Sequence, residues 1–263
     1  MTNWKEMPAW QHLQKYRPLL YELVVRDLKV KYRRSFLGYL WSLLNPLLMM
    51  AVMSFVFSYI FRYDIENYPL YLICGQTLWG FFNESTNMAM YSVLQNGSLI
   101  KKVYIPKFIF PMSRVFSSFV TMSFSLGAIL IVMLVTRAPL HWQLLLFPLP
   151  LVLLLVFSMG VSMVLSSLSV YFRDVTHLYG VVTLAWMYVT PVFYPVSALP
   201  DEVAWVLKLN PMYYYLDNFR QLVLYGSLPT AKSWCICLLC SGVALAVGLA
   251  VFRKLQRNFI LYL

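Results

Sequence analysis

Uncharged stretches alternate with short basic clusters along this chain. Residues 26–34 are rich in Arg and Lys, whereas residues 35–61 carry no charged side chain. A helix rises 1.5 Å per residue and the hydrocarbon core of a bilayer is about 30 Å thick, so about 20 apolar residues can cross it. Basic residues collect on the cytoplasmic side of such helices. The pattern therefore predicts a transmembrane helix whose first end lies in the cytoplasm.

Five further apolar stretches predict five further crossings. They cover residues 69–95, 115–136, 144–170, 175–190 and 234–252. Pro191, Pro195 and Pro200 end the fifth helix, because proline removes a backbone donor. The two short amphipathic pieces that follow meet at Asn210-Pro211 and are too short to cross, so residues 191–229 are predicted to form an external re-entrant hairpin. The predicted fold class is an all-α polytopic membrane protein with six transmembrane helices.

The first 34 residues form a separate unit in this scheme, ahead of a transmembrane domain that covers residues 35–263. They lack the apolar core of a signal peptide, so we expect them to be retained. Their apolar and charged residues fall on opposite sides of a helix, which predicts a cytoplasmic amphipathic helix in the membrane plane. Pro18 is expected to start or kink this helix. A plain anchor and a functional element fit it equally well.

Composition agrees with a membrane protein. Hydrophobic residues make up 60% of the chain and charged residues 12%, against roughly 25% charged in soluble domains. With both termini in the cytoplasm, most of the 21 Lys and Arg residues fall on the cytoplasmic side. The net charge of +11 could also suggest a nucleic acid partner. Because the flanks of apolar helices already account for these cations, no nucleic acid partner is predicted.

Catalytic motifs are missing from the sequence. It contains no G-x-x-x-x-G-K-[ST]; the nearest match begins at Gly75 and lacks the lysine. Cys235, Cys237 and Cys240 have the spacing of metal ligands, but no His, Asp or Glu accompanies them within their span, so we interpret them as packing residues. The chain is therefore predicted to be a transport subunit rather than an enzyme, without catalytic residues, cofactor or metal.

Glu84 is an ionisable residue in the middle of the second predicted crossing. Such residues face other helices or a water-filled path, and many have a function. A hydrogen-bonded role in helix packing fits Glu84 equally well.

Four segments carry a resemblance to a known family. They are the run RDLKVKYRRSFLGYLWSLLNPLL, the loop KKVYIPKFIFPMSR, the motif YFRDV at 171–175, and the spaced prolines that lead through LNP to Arg220. Together they resemble the permease subunit of ABC transporters that export lipid-linked polysaccharides, namely O-antigens, capsular polymers or teichoic acids. The resemblance implies an inner-membrane homodimer with a central channel, two separate ATPase subunits and an undecaprenyl-diphosphate-linked glycan, with O-antigen as the first candidate. A small-molecule or drug exporter and a glycan enzyme or scaffold are the alternatives.

The loop of residues 96–106 is the predicted coupling element for the ATPase. It begins at a turn, ends at Pro106 and carries apolar residues beside two lysines. A basic loop without a partner is the alternative. The candidate contact residues, including the second cytoplasmic turn, are Leu99, Ile100, Lys101, Lys102, Val103, Tyr104, Arg173 and Asp174.

Two further sets of residues suit a charged, lipid-linked glycan. Cations at the cytoplasmic entrance could bind the diphosphate or, equally, anionic lipid: Arg26, Lys29, Arg33 and Arg34. Aromatic rings can stack on sugar rings along a channel, although membrane-interface belts and helix packing use the same residues. The channel-lining candidates are Phe36, Tyr39, Phe55, Tyr59, Trp186, Tyr188, Phe193 and Tyr194.

Overall fold

The computed structural model describes residues 9–58, 65, 67–103, 105–198 and 200–263, and these residues are helical almost throughout. The α-helices are α1 (Ala9–Lys31), α2 (Trp41–Val56), α3 (Tyr68–Gln95), α4 (Gly97–Lys102), α5 (Ile109–Val135), α6 (Pro148–Tyr171), α7 (Val175–Val189), α8 (Asp201–Leu209), α9 (Pro211–Val223), α10 (Ala231–Leu255) and α11 (Phe259–Tyr262). The all-α prediction is confirmed.

Helix α3 lies at the centre of the bundle. It packs against α5, α6, α2 and α9, and most of its side chains are buried. Asn67 begins the helix: its side chain accepts a hydrogen bond from the Leu70 amide, and Pro69 occupies the first turn, where its missing N–H costs nothing. Burial is not complete, because the polar side chains of Gln76 and Glu84 stay half-buried on the single chain.

The most extensive helix contact joins α6 to α10. Small residues permit it: a Cβ atom at Gly160 would overlap the backbone of Ala244, and one at Gly248 would overlap the Gly160 carbonyl. Ala244 and Gly248 are one helical turn apart, the small-x-x-x-small spacing that brings membrane helices together. The two helices therefore meet backbone to backbone.

Four helical segments are long and apolar enough to cross a bilayer among the residues described: Gly38–Val56, Ile109–Val135, Trp142–Tyr171 and Ala231–Tyr262. They coincide with the first, third, fourth and sixth predicted crossings. The predicted second helix is observed as α3, but polar residues such as Gln76, Asn83 and Glu84 keep it out of this set. Helix α7 is apolar but shorter. The count of six crossings is therefore not confirmed.

Two local predictions need correction. Helix α1 already begins at Ala9, so Pro18 lies inside the helix and does not start it. The coupling loop, predicted to run to Pro106, is helical only as far as Lys102, because Val103 adopts an extended conformation.

Candidate functional site

Helix α4 presents a small basic surface at one end of the bundle. The side chains of Lys101, Lys102 and Val103 are exposed, and Val103 is 51% accessible. Ile100 is only 6% accessible and packs into the core, where it anchors α4, so it contributes little to the exposed surface. Leu99 is half-buried against the same core. Tyr104 lies outside the described residues.

A second exposed turn lies between α6 and α7. Phe172, Arg173 and Asp174 are all exposed, and Phe172 is 63% accessible. Arg173 and Asp174 were predicted as contact residues from the sequence, but the aromatic residue before them was not. Its position beside Arg173 and Asp174 was the sequence feature that could have identified it as an exposed residue of this turn.

The C-terminal residues bridge these two turns. Leu263 lies against Gly97 at the start of α4, since a Cβ atom added to Gly97 would lie 3.4 Å from the Leu263 side chain. Tyr171, at the end of α6, donates a hydrogen bond of 2.8 Å to the Leu255 carbonyl, and its ring lies 4.5 Å from that of Tyr262. The C-terminal segment thus joins the α4 surface to the turn at residues 172–174.

Phe259 and Lys107 complete this bridge. The Phe259 ring is fully buried, 5.5 Å from Phe252 and 6.1 Å from Tyr171. Lys107 donates a 2.6 Å hydrogen bond to the Gln256 carbonyl, and burial lowers the pKa of its ammonium group. Buried aromatic packing and a short hydrogen bond therefore hold the chain end in place. Sequence reasoning missed this arrangement, because residues 256–263 carry no motif.

Helix α1 is attached to the bundle through a buried carboxylate. Asp27 is 6% accessible and lies 2.9 Å from Arg114 of α5 and 3.2 Å from Arg26. Arg26 is thus already paired, whereas the predicted entrance residues Lys29, Arg33 and Arg34 are exposed. Arg114 also donates to the Gln95 side chain, which ties α1, α3 and α5 together.

Lys31, at the end of α1, reaches the predicted intramembrane acid. Its ammonium lies 2.7 Å from the Glu84 carboxylate, and each side chain is about one third accessible. Glu84 therefore faces a charge partner within the protein. Lys31 was absent from the predicted entrance cations, although it is the one that contacts the central helix.

The aromatic candidates separate into two groups. Phe36, Tyr39, Phe55 and Tyr188 are exposed on the single chain. Half-buried candidates are Trp186, Phe193 and Tyr194, and Tyr59 lies outside the described residues.

Trp186 and Phe193 are packing residues. The Trp186 ring lies 5.1 Å from Phe82 and donates to Asn210, and the Phe193 ring stacks on Phe57 at 6.0 Å. Both side chains are packed on one side but stay half-buried on the single chain, so their place along a channel remains a prediction.

A buried arginine organises the opposite end of α3. Arg220 of α9 is 4% accessible and donates to the carbonyl oxygens of Pro191 at 2.6 Å, Val192 at 2.9 Å and Tyr71 at 3.2 Å. Its guanidinium also lies 3.5 Å from the centre of the Tyr71 ring. Gly75 leaves room for it, because a Cβ atom there would overlap the guanidinium. Arg220 thus fixes the bend after α7 to the central helix.

The three spaced cysteines of α10 differ in their surroundings. Cys237 is buried and accepts a hydrogen bond from Asn218, whereas Cys235 is exposed. Within the described part of the chain, no three His, Cys, Asp or Glu side chains are grouped as metal ligands.

Four helical segments long and apolar enough to cross a bilayer, with two exposed charged turns at one end, indicate a multi-pass membrane protein. The chain belongs to the ABC-2 type transporter family, whose profile matches residues 5–224. It is therefore a transporter permease.

Curated relatives match nearly end to end. The chain is 31% identical to an O-antigen export system permease protein, RfbA, of Klebsiella pneumoniae over 92% of this chain and 93% of that protein. It is also 31% identical to the protein of the same name from Myxococcus xanthus over 95% and 96% of the two chains. A capsule polysaccharide export inner-membrane protein, CtrC, of Neisseria meningitidis is 23% identical over 90% of each chain.

Proposed function

We propose that this chain is the membrane-spanning subunit of an ATP-driven exporter that moves a lipid-linked polysaccharide, O-antigen first among the candidates, across the bacterial inner membrane. The observation that carries the proposal is the 31% identity to O-antigen export permeases over more than nine tenths of both chains. Capsular polysaccharide is the second candidate, because the capsule export protein CtrC matches the same length at 23% identity.

The proposed assembly is a homodimer with a central channel and two ATPase subunits. Helices α2, α3, α5, α6, α7 and α10 cross the membrane, with both chain termini in the cytoplasm and α1 along the inner surface. Helices α8 and α9 form a re-entrant hairpin on the outer side. Exposed Phe36, Tyr39, Phe55 and Tyr188 are available to line the channel. This chain binds no nucleotide itself; ATP is hydrolysed by the partner.

Lys101, Lys102 and Val103, together with residues 172–174, form the ATPase-coupling surface in this proposal. Their exposure and the C-terminal bridge support it, because a movement of one turn by the ATPase would be transmitted to the other turn. Lys29, Arg33 and Arg34 are the exposed cations available to the lipid diphosphate. Arg26 is only partly available, because it lies 3.2 Å from the Asp27 carboxylate that it shares with Arg114.

Deletion of the gene in its own organism tests the transport function. The expected result is that lipid-linked polysaccharide accumulates inside the inner membrane and disappears from the cell surface, and that the plasmid-borne gene restores it. Normal surface polysaccharide in the deletion strain would overturn the proposal. Loss of capsule with O-antigen retained would identify the second candidate.

The coupling surface has its own test. Val103→Asp places a charge on the exposed apolar residue and is expected to reduce co-purification of the ATPase subunit and export together. Val103→Ile keeps the surface apolar and is the control. Normal co-purification and export in a correctly inserted Val103→Asp protein would exclude this surface.

A further inference from the structure

A cavity of about 270 Å³ lies within the single chain, between α2, α3 and α5 and beside the end of α1. The proposed coupling and entrance surfaces do not include it. Its volume lies just below the roughly 300–1,000 Å³ of small-molecule sites. The cavity is therefore large enough for one small ligand but not for a folded chain.

Two neighbouring side chains of α3 leave polar atoms unused in the cavity wall. Among the described residues, Gln76 Oε1 and Thr77 Oγ1 have no hydrogen-bond partner, although both atoms are buried. The Thr77 residue is only 6% accessible. Buried polar atoms in folded proteins are almost always hydrogen-bonded. A bound ligand with both hydrogen-bond donors and acceptors would supply the missing partners of these two oxygens.

The charges in the wall cancel each other. Lys31 and Glu84 both line the cavity and form the 2.7 Å ion pair. Hydroxyl groups and amides make up the remaining polar lining. Since Lys31 already has a carboxylate partner, the cavity offers little attraction to a phosphate and suits an uncharged polar ligand.

Aromatic side chains form another part of the wall. Tyr32, Trp41 and Phe81 line the cavity, and Trp41 remains 38% accessible. A sugar ring has one apolar face and an edge of hydroxyl groups that can donate and accept. The aromatic rings and the unpartnered amide and hydroxyl oxygens of the lining match these two features.

We propose that this cavity binds a single uncharged sugar unit, with Gln76 and Thr77 bonding its hydroxyl groups and an aromatic ring covering its apolar face. The proposal rests on the proposed polysaccharide export and adds an intrasubunit binding site for part of that substrate. It also assigns Lys31 and Glu84 a role in selectivity, because their paired charges favour an uncharged ligand over a charged one.

Saturation-transfer difference NMR on the permease–ATPase complex in lipid nanodiscs tests this site. The probes are glucose, galactose, mannose, rhamnose and N-acetylglucosamine, with glucose 1-phosphate as the charged counterpart. We expect transfer to at least one neutral sugar and a weaker response from the phosphate. No transfer to any neutral sugar, or equal binding of glucose 1-phosphate and glucose, would overturn the proposal.

The double variant Gln76→Leu, Thr77→Val removes both oxygens with little change in volume. Because the two lost oxygens make no hydrogen bond within the described chain, the variant is expected to fold. Its Kd for the responding sugar should rise by about threefold to tenfold for each hydrogen bond lost. Ser162→Ala is the control, since it removes an equally unpartnered buried oxygen from α6, away from the cavity.

An unchanged Kd in the double variant, with binding present in the wild type, would overturn the cavity as the sugar site. This failure can be told apart from failure of the proposed function, because the gene-deletion experiment does not depend on Gln76 or Thr77. Surface polysaccharide lost on deletion, together with sugar binding unaffected by the double variant, would leave the exporter proposal intact and reject the cavity alone.

Discussion

The Lys31 ammonium and the Glu84 carboxylate lie 2.7 Å apart, joining the end of the basic N-terminal helix to the middle of the most enclosed helix of the bundle. An unpaired charge at membrane depth is costly, and the pair offsets much of that cost. The position of α1 is thereby linked to α3.

Reversing this pair tests the link. Glu84→Leu leaves Lys31 without its partner and should lower the apparent Tm of the purified complex by about 2–4 °C, corresponding to about 1 kcal/mol. The double variant Lys31→Glu, Glu84→Lys restores opposite charges and should recover most of that loss. If the swapped protein is as unstable as Glu84→Leu, the ion pair does not stabilise the fold.

Arg220→Lys is expected to be damaging although it keeps the charge. The planar guanidinium donates to three carbonyl groups at once, whereas an ammonium is a compact donor on a flexible stem and cannot span them in the same geometry. We expect a loss of about 2–4 kcal/mol, seen as a reduced yield of folded protein by fluorescence-detected chromatography. The exposed Arg137→Lys serves as a control and should have little effect.

The C-terminal bridge can be weakened at its buried centre. Phe259→Ala removes a fully buried ring and should cost about 3–5 kcal/mol locally. We expect the ATPase subunit to remain bound, since residues 101–103 keep their side chains, while export per ATP hydrolysed falls. Ile260→Ala changes the adjacent, 55% accessible side chain and should resemble wild type. Equal export-to-hydrolysis ratios in the two variants would rule out a role for the bridge in coupling.

Helix packing at Gly160 provides a stability test with matched glycines. Gly160→Ala places a methyl group inside the Ala244 backbone and should prevent close packing of α6 on α10. Gly242→Ala introduces the same methyl where no atom lies within 4 Å, and should be neutral or stabilising by up to about 1 kcal/mol. Thermal unfolding of both proteins in one detergent makes the comparison. Similar Tm values would show that the α6–α10 seam tolerates separation.

Much of the helical layout could be predicted from the sequence. Charge-free stretches and spaced prolines depend on local rules, and the predicted helix at 69–95 differs from α3 by a single residue at its start. The resemblance also identified the transporter class correctly.

The contacts of individual side chains could not be predicted. Ile100 was expected on a contact surface because it follows Leu99 beside two lysines, yet the core buries it. Trp186 is a channel-lining candidate, but its hydrogen bond to the Asn210 amide, which comes from a different helix segment, could not be foreseen. Periodicity indicates which side of a helix is apolar, but the partner that covers that side is decided by tertiary packing.

The meeting of Gly160 with Ala244 and Gly248 has a mechanical consequence. Side chains can change rotamer and let two helices slide past each other, but backbone atoms in contact have no such freedom. We therefore expect α6 and α10 to move as one rigid unit. Helices α2 and α7 expose half or more of their apolar side chains on the single chain, and no backbone-to-backbone contact of this kind is seen for them among the described residues. The passage for the polysaccharide should therefore open through movement of α2 and α7, while α6 and α10 stay in place.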